Sequence, residues 1–194
     1  MSFKHNLKKI KFGHLKHEVI KIMNSDRIKE LITSNGNTQV SERISIEIVK
    51  EALNNLGYSF TEAGSQQSKD FRNVCNIGLD IEVKKCDNTT IYFNDTCPSS
   101  NIFYIIIFTG KEYKTKENIP PSLTFINGYE LIKNDIYFLI DFKKDLEVMR
   151  NKWCRKTENQ NANKLKYMST YFRPTYKRSI SDLLVNPLYT YQIN

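Results

Sequence analysis

One uninterrupted apolar run, Ile102–Phe108, sets the strongest limit on the architecture. It is far too short to span a bilayer. Its β-branched and aromatic make-up suits a strand buried on both faces, which requires packed layers above and below it. The chain has the material for those layers. Of its 194 residues, 40% are hydrophobic and 26% charged, a balance that excludes a disordered tail, a collagen-like rod or a low-complexity linker. The length suits one domain. Met1–Lys11 is dominated by lysine and polar residues and holds no hydrophobic signal region, so the expectation is a soluble, cytoplasmic protein with no membrane contact.

Around this run the hydrophobic period changes along the chain. His14–Met23 and Asp26–Ile32 carry apolar residues at helical spacing, and Asn35-Gly36-Asn37 reads as a turn. Ser41 is placed to cap the clearest helix, Ser41–Leu56, whose stripe is Ile44, Ile48, Val49, Ala52, Leu53 and Leu56, with Gly57 as its terminator. Tyr58–Glu62 then reads as a strand and the residues from Ala63 to Ser68 as a polar loop. Leu79–Lys85 alternates: Leu79, Ile81 and Val83 face one way, Asp80, Glu82 and Lys84 the other. Ile91–Phe93 and Asp135–Ile140 read as further strands, Lys111–Pro121 as a loop and Lys143–Lys152 as a basic helix. A helix followed by mixed strands and more helices describes an α/β or α+β domain.

Lys and Arg number 29 against 21 Asp and Glu, a net charge of +8 that suits a polyanionic partner. The four cysteines lack CxxC spacing and lie far in sequence from the three histidines, all near the N-terminus, which favours reduced structural thiols over a zinc site or a disulfide framework. His14 and His17, three apart on a helix, read as surface residues.

The chemically informative string is Asp70 followed by Leu79-Asp80-Ile81-Glu82-Val83-Lys84-Lys85. Two carboxylates and a lysine are the ingredients of metal-assisted phosphodiester hydrolysis. Carboxylates hold hard divalent ions, and a nearby ammonium positions the nucleophile and stabilises growing negative charge. Glu82 and Lys84 project from one strand face with the Val83 carbonyl between them. The competing reading is a solvated sheet face with ordinary cross-strand pairs. Asp80 shares the Glu82 face, but two ligands on one strand leave nothing across the cleft to close a metal site.

With Ser41-Glu42-Arg43, the Leu53–Gly57 helix end, Glu62-Ala63-Gly64-Ser65, Asp70 and Ile81-Glu82-Val83-Lys84 in that order, the chain from Val40 to about Phe108 resembles the PD-(D/E)XK nuclease superfamily, in particular type II restriction endonucleases. It departs at the first catalytic motif, where Lys69-Asp70 stands in place of Pro-Asp. The resemblance implies a restriction-endonuclease-like α/β core, a central mixed sheet flanked by helices. It implies metal binding by Asp70, Glu82 and the Val83 carbonyl, with Lys84 assisting the attacking water. The cofactor would be Mg²⁺, with Mn²⁺ as a substitute, the substrate double-stranded DNA cut to leave 5′-phosphate ends, and the assembly a homodimer. A helix glutamate completes such sites. At about 100° per residue, Glu42 lies at the edge of the packed stripe and Glu47 almost opposite it, so Glu42 is preferred and Glu47 is the alternative.

The resulting organisation is one nuclease domain: a helical N-terminal extension over 1–37, a catalytic core over 38–142, and a basic part over 143–194 for DNA contacts or dimerisation. The Lys143–Lys166 run, with Trp153 and Tyr167, adds to the basic character of that last part. Candidate DNA contacts are Arg43, Lys69, Arg72 and Lys85 around the core, Gln66 and Gln67 in the loop before Asp70, and Arg173, Lys177 and Arg178 in the aromatic Tyr171–Arg178 stretch. A structure-specific repair or junction-resolving nuclease and a non-catalytic DNA-binding module are the alternatives.

Overall fold

A computed structural model describes residues 3–32, 38–63, 69–94, 97–110, 119–153, 175–184 and 188–193. Three helices open the chain: α1 (Phe3–Ile22), α2 (Ser25–Leu31) and α3 (Thr38–Asn55). Phe12, Leu15 and Val19 form the buried stripe of α1. Phe12 stacks at 4.8 Å on the ring of Phe103 in the sheet, so this helix is built into the core rather than appended to it. The Asn24 side chain caps α2 by accepting the Arg27 N–H at 2.9 Å. α3 buries Ile48, Val49, Ala52 and Leu53. Its start differs from the expected cap at Ser41: the helix already includes Thr38, and Ser41 is buried inside it. Gly57, at φ +63, ends it. The Gly57 and Tyr58 amides return to the carbonyls of Asn54 and Leu53 at 2.9 and 3.0 Å, a turn that needs the left-handed backbone glycine adopts freely.

The strands β1 (Thr61–Glu62), β2 (Phe71–Val74), β3 (Leu79–Cys86), β5 (Phe103–Phe108), β6 (Ser122–Asn127) and β8 (Thr190–Gln192) form one sheet in the order β1-β2-β3-β5-β6-β8. Only β3 and β5 run parallel; the other pairs are antiparallel. The apolar run is the centre of this sheet, and all of β5 is buried. Phe103, Ile105 and Ile107 pack into the core under α1–α3, while Tyr104, Ile106 and Phe108 pack into a second core on the opposite face. That second layer contains β4 (Thr90–Asn94) paired antiparallel with β7 (Thr175–Ser179), α4 (Gly128–Ile132), α5 (Ile136–Trp153) and α6 (Ile180–Leu184). The protein is therefore α/β, with a mixed central sheet flanked by helices.

Two elements differ from the sequence reading. Asp135–Ile140 is not a strand; Ile136 opens the helix α5, which continues through the expected basic helix. Its apolar residues do not share a face, since Leu139 is buried while Tyr137 and Phe138 are exposed. A strand that the sequence reading lacks, β6, lies before it, between Pro121 and Gly128. The expected turn at Asn35-Gly36-Asn37 and the run from 154 to 174 lie outside the described residues. None of the helices described is long and apolar enough to cross a membrane.

Candidate active site

The β2–β3 hairpin brings the informative residues together. β3 pairs with β2 through Phe71↔Ile81 and Val74↔Leu79. Asp70, one residue before β2, is fastened to β3 twice: its N–H donates to the Ile81 carbonyl at 3.0 Å, and its Oδ2 accepts the Val83 N–H at 2.7 Å. Backbone groups two residues apart on a strand point to the same side, so the Val83 carbonyl lies on the Asp70 side of β3. The Val83 side chain is buried in the core under α1–α3.

Glu82 and Lys84 stand on the opposite face of β3. Glu82 is only 9% exposed, and Lys84 Nζ donates to its Oε1 at 2.6 Å. Burial pushes the Glu82 carboxyl above its ordinary range; the adjacent Lys84 ammonium opposes the shift and the Asp70 charge adds to it. Asp70 is also pushed up, chiefly by burial. The Val83 N–H and Lys84 oppose this, while the Glu42 charge raises it further. Two buried carboxylates thus act on each other, the Lys84 ammonium acts on both, and a third acid on α3 acts on Asp70.

Glu42 is that third acid. Glu47, the alternative, points to a groove between α2 and α3 of about 610 Å³, where it lies 4.0 Å from Lys50 and remains 58% exposed. Arg43 lines the same groove. Asp80 serves a structural purpose: it is paired with Lys69 and accepts the Asn73 N–H at 3.0 Å. Burial alone would raise its pKa, but Lys69 and that N–H hold it below the usual carboxylate range.

Other candidate contacts divide by burial. Lys85 is on the strand face away from Glu82, with its side chain 4% exposed and Nζ paired to Asp87 at 2.7 Å. Asp87 in turn accepts from the Thr109 hydroxyl at 2.7 Å, so this buried pair links the ends of β3 and β5. Alternation along β2 turns Arg72 away from buried Phe71; its Nε is buried with no hydrogen-bond partner. Lys177 is exposed on β7, 5.4 Å above the Tyr92 ring of β4. Arg178, by contrast, is opposite buried Ile91 and turns inward. Gln66, Gln67 and Arg173 lie outside the described residues.

Sequence reasoning missed Tyr104. It is level with Glu82 in the parallel β3–β5 register, is fully buried, and packs edge-on against Phe93 at 5.6 Å. Its hydroxyl accepts the Ser99 N–H at 2.8 Å. Tyr104 is thus a buried ring on the strand beside Glu82; burial pushes its phenol pKa up and the Glu82 charge adds to the shift. The signal in sequence was a lone polar atom inside Ile102–Phe108.

The donor set fits a hard divalent cation in its chemistry: carboxylate oxygens, a backbone carbonyl nearby, and excess negative charge that burial leaves poorly compensated. Among the described residues no group of three or more His, Cys, Asp or Glu side chains gathers closely enough to hold a metal by itself. The pair Asp70 and Glu82 is thus the nucleus of the site, with Glu42 farther out. No protein-family model, curated protein or solved structure matches the chain.

Proposed function

We propose that the protein is a divalent-metal-dependent endonuclease with a restriction-endonuclease-like core, hydrolysing phosphodiester bonds in duplex DNA in the manner of a type II restriction enzyme. The observation that carries this reading is the tether between Asp70 and Val83, which holds one acid beside Glu82 and Lys84 at the edge of β3. Asp70, Glu82 and the Val83 carbonyl would hold Mg²⁺ or Mn²⁺, which when bound lowers the pKa of a water and neutralises charge on the phosphate.

The chain's own groups supply the rest. Lys84 Nζ lies 2.6 Å from Glu82 Oε1, and an ammonium carries three donors. The donors not engaged by Glu82 can hold the attacking water or a non-bridging phosphate oxygen, stabilising charge as it develops. Burial keeps water from Glu82, which strengthens each electrostatic contact there. Glu42 adds negative charge on the α3 side of Asp70. The net charge of +8 favours encounter with a polyanion.

A digest of unmethylated phage DNA tests the reading, run in parallel with Mg²⁺, with no added metal, and with EDTA. The expected result is discrete fragments with 5′-phosphate ends in the Mg²⁺ lane alone. Cleavage confined to branched DNA would replace sequence recognition with structure recognition. Metal-independent binding without cleavage in any lane would overturn the enzyme reading.

A further inference from the structure

Helix α5 buries Leu139 against the second core, with Ile136 and Phe142 packed beside it. Its outer face carries large apolar side chains in solvent: Tyr137 is 82% exposed, Phe138 73% and Val148 66%. Single exposed apolar residues are ordinary, but several of this size on one helix mark an interaction face. At about 100° per residue, Tyr137, Asp141, Lys144 and Val148 all fall within roughly 40° of the direction opposite Leu139. Their spacing is that of a helix-packing seam.

The order along this seam is apolar, acidic, basic, apolar. Laid antiparallel against a second copy of itself, it sets Tyr137 against Val148 of the partner subunit and Asp141 against Lys144 of the partner subunit. A two-fold axis repeats both contacts, which is what an isologous interface requires. Among the described residues Asp141 and Lys144 pair with each other, at 3.1 Å and with side chains 73% and 70% exposed. An ion pair that open to water contributes little and exchanges readily.

We propose that α5 is the subunit interface of a homodimer, two copies packing antiparallel through Tyr137, Asp141, Lys144 and Val148. The inference is independent of the nuclease reading, because association is measured without DNA.

Sedimentation equilibrium of the full chain provides the test. The wild type should be dimeric at about 50 µM, since assembly follows mass action. Asp141→Lys and Lys144→Asp each place like charges across the two-fold axis, so each alone should sediment as a monomer. Mixed in equal amounts they become complementary and should form a heterodimer. Tyr137→Ser should weaken association by at least about tenfold, as loss of a large aromatic anchor does. Far-UV circular dichroism checks that each variant keeps its fold. A monomeric wild type, charge variants that dimerise like the wild type, or a mixture that stays monomeric would each overturn the interface. A monomeric wild type that still cuts DNA would overturn the interface and leave the nuclease reading standing.

Discussion

The Asp70 carboxylate accepts the Val83 N–H at 2.7 Å, which ties the acid preceding β2 to the strand that carries Glu82 and Lys84. The tether has an electrostatic cost. It holds Asp70 near Glu82 in surroundings that burial has already made unfavourable for charge, and both acids respond with raised pKa values.

That cost predicts a pH dependence. A carboxyl whose pKa is higher in the folded than in the unfolded chain stabilises the fold fully below its ordinary pKa, and the contribution is lost as pH rises through the raised value. Glu82→Gln removes the ionisation, so this variant should melt at a higher temperature than the wild type at neutral pH and at the same temperature near about pH 3, below the ordinary carboxylate range. It should also lose cleavage. Calorimetry across that range checks the first part; a variant less stable than the wild type at neutral pH would mean that the lost Lys84 pair outweighs the relieved repulsion.

Lys84 holds both acid pKa values down, so Lys84→Ala should raise them further and move the acid limb of the pH–rate profile to higher pH. The maximal rate should fall by at least about a hundredfold, the scale of a lost proton-transfer or electrostatic group. Single-turnover cleavage across pH measures both effects. An unmoved acid limb would show that Asp70 and Glu82 do not limit the rate.

The helix acids separate cleanly. Glu42→Gln removes the charge that acts on Asp70 and should slow cleavage strongly. Glu47 is solvated beside Lys50, so Glu47→Gln should leave the rate unchanged and alter stability by no more than about 0.5 kcal/mol. Cleavage rates and melting curves of the two variants give the ranking; the reverse order would move the helix acid to the α2–α3 groove.

What was legible in the sequence was local. Glu82 and Lys84 alternate with Ile81 and Val83 on one strand, and the turn that returns the chain to Asp70 is short, so period and spacing carried the relationship. Asp135–Ile140 failed because β-branched and aromatic residues in succession suit a strand, whereas tertiary packing takes Leu139 inward with Ile136 beside it and leaves Tyr137 and Phe138 exposed on a helix. Ser41 looks like a cap because a serine before an apolar stripe usually is one, yet α3 starts earlier and buries it. The pairing of β4 with β7 and the placement of Tyr104 beside Glu82 depend on residues distant in the chain, which no local period encodes.

Lys85 illustrates the same limit and yields a test. Read beside Lys84 it looks like a second cation for DNA, but it is buried against Asp87. Lys85→Ala takes the ammonium away from the buried Asp87 carboxylate, so it should destabilise the fold by about 3–5 kcal/mol. The salt dependence of DNA binding should not change. Denaturant titration and binding isotherms at several salt concentrations distinguish this from a phosphate contact, which would show the opposite pattern.

Lys177 and Arg178 are neighbours in sequence and should behave differently. Alternation on β7 leaves Lys177 outside, above the Tyr92 ring, and turns Arg178 toward Tyr176 and the second core. A two-stranded ribbon such as β4–β7 has the width to enter a major groove. If its outer face meets the duplex, Lys177→Ala should reduce the slope of log K against log salt by about 0.9, the share of one phosphate contact on duplex DNA. The fold should keep its melting temperature, because an exposed cation holds little of the core together. Arg178→Ala should do the reverse. Its guanidinium lowers the pKa of Tyr176, whose phenol is pushed up to about 12 by burial and by its hydrogen bond to Asp135, so losing it disturbs packing between β7 and α5. The expected result is a lower melting temperature with the salt slope intact. Binding isotherms and melts of the two variants read both quantities, and an equal loss of slope in both would show that the ribbon presents its other face to DNA.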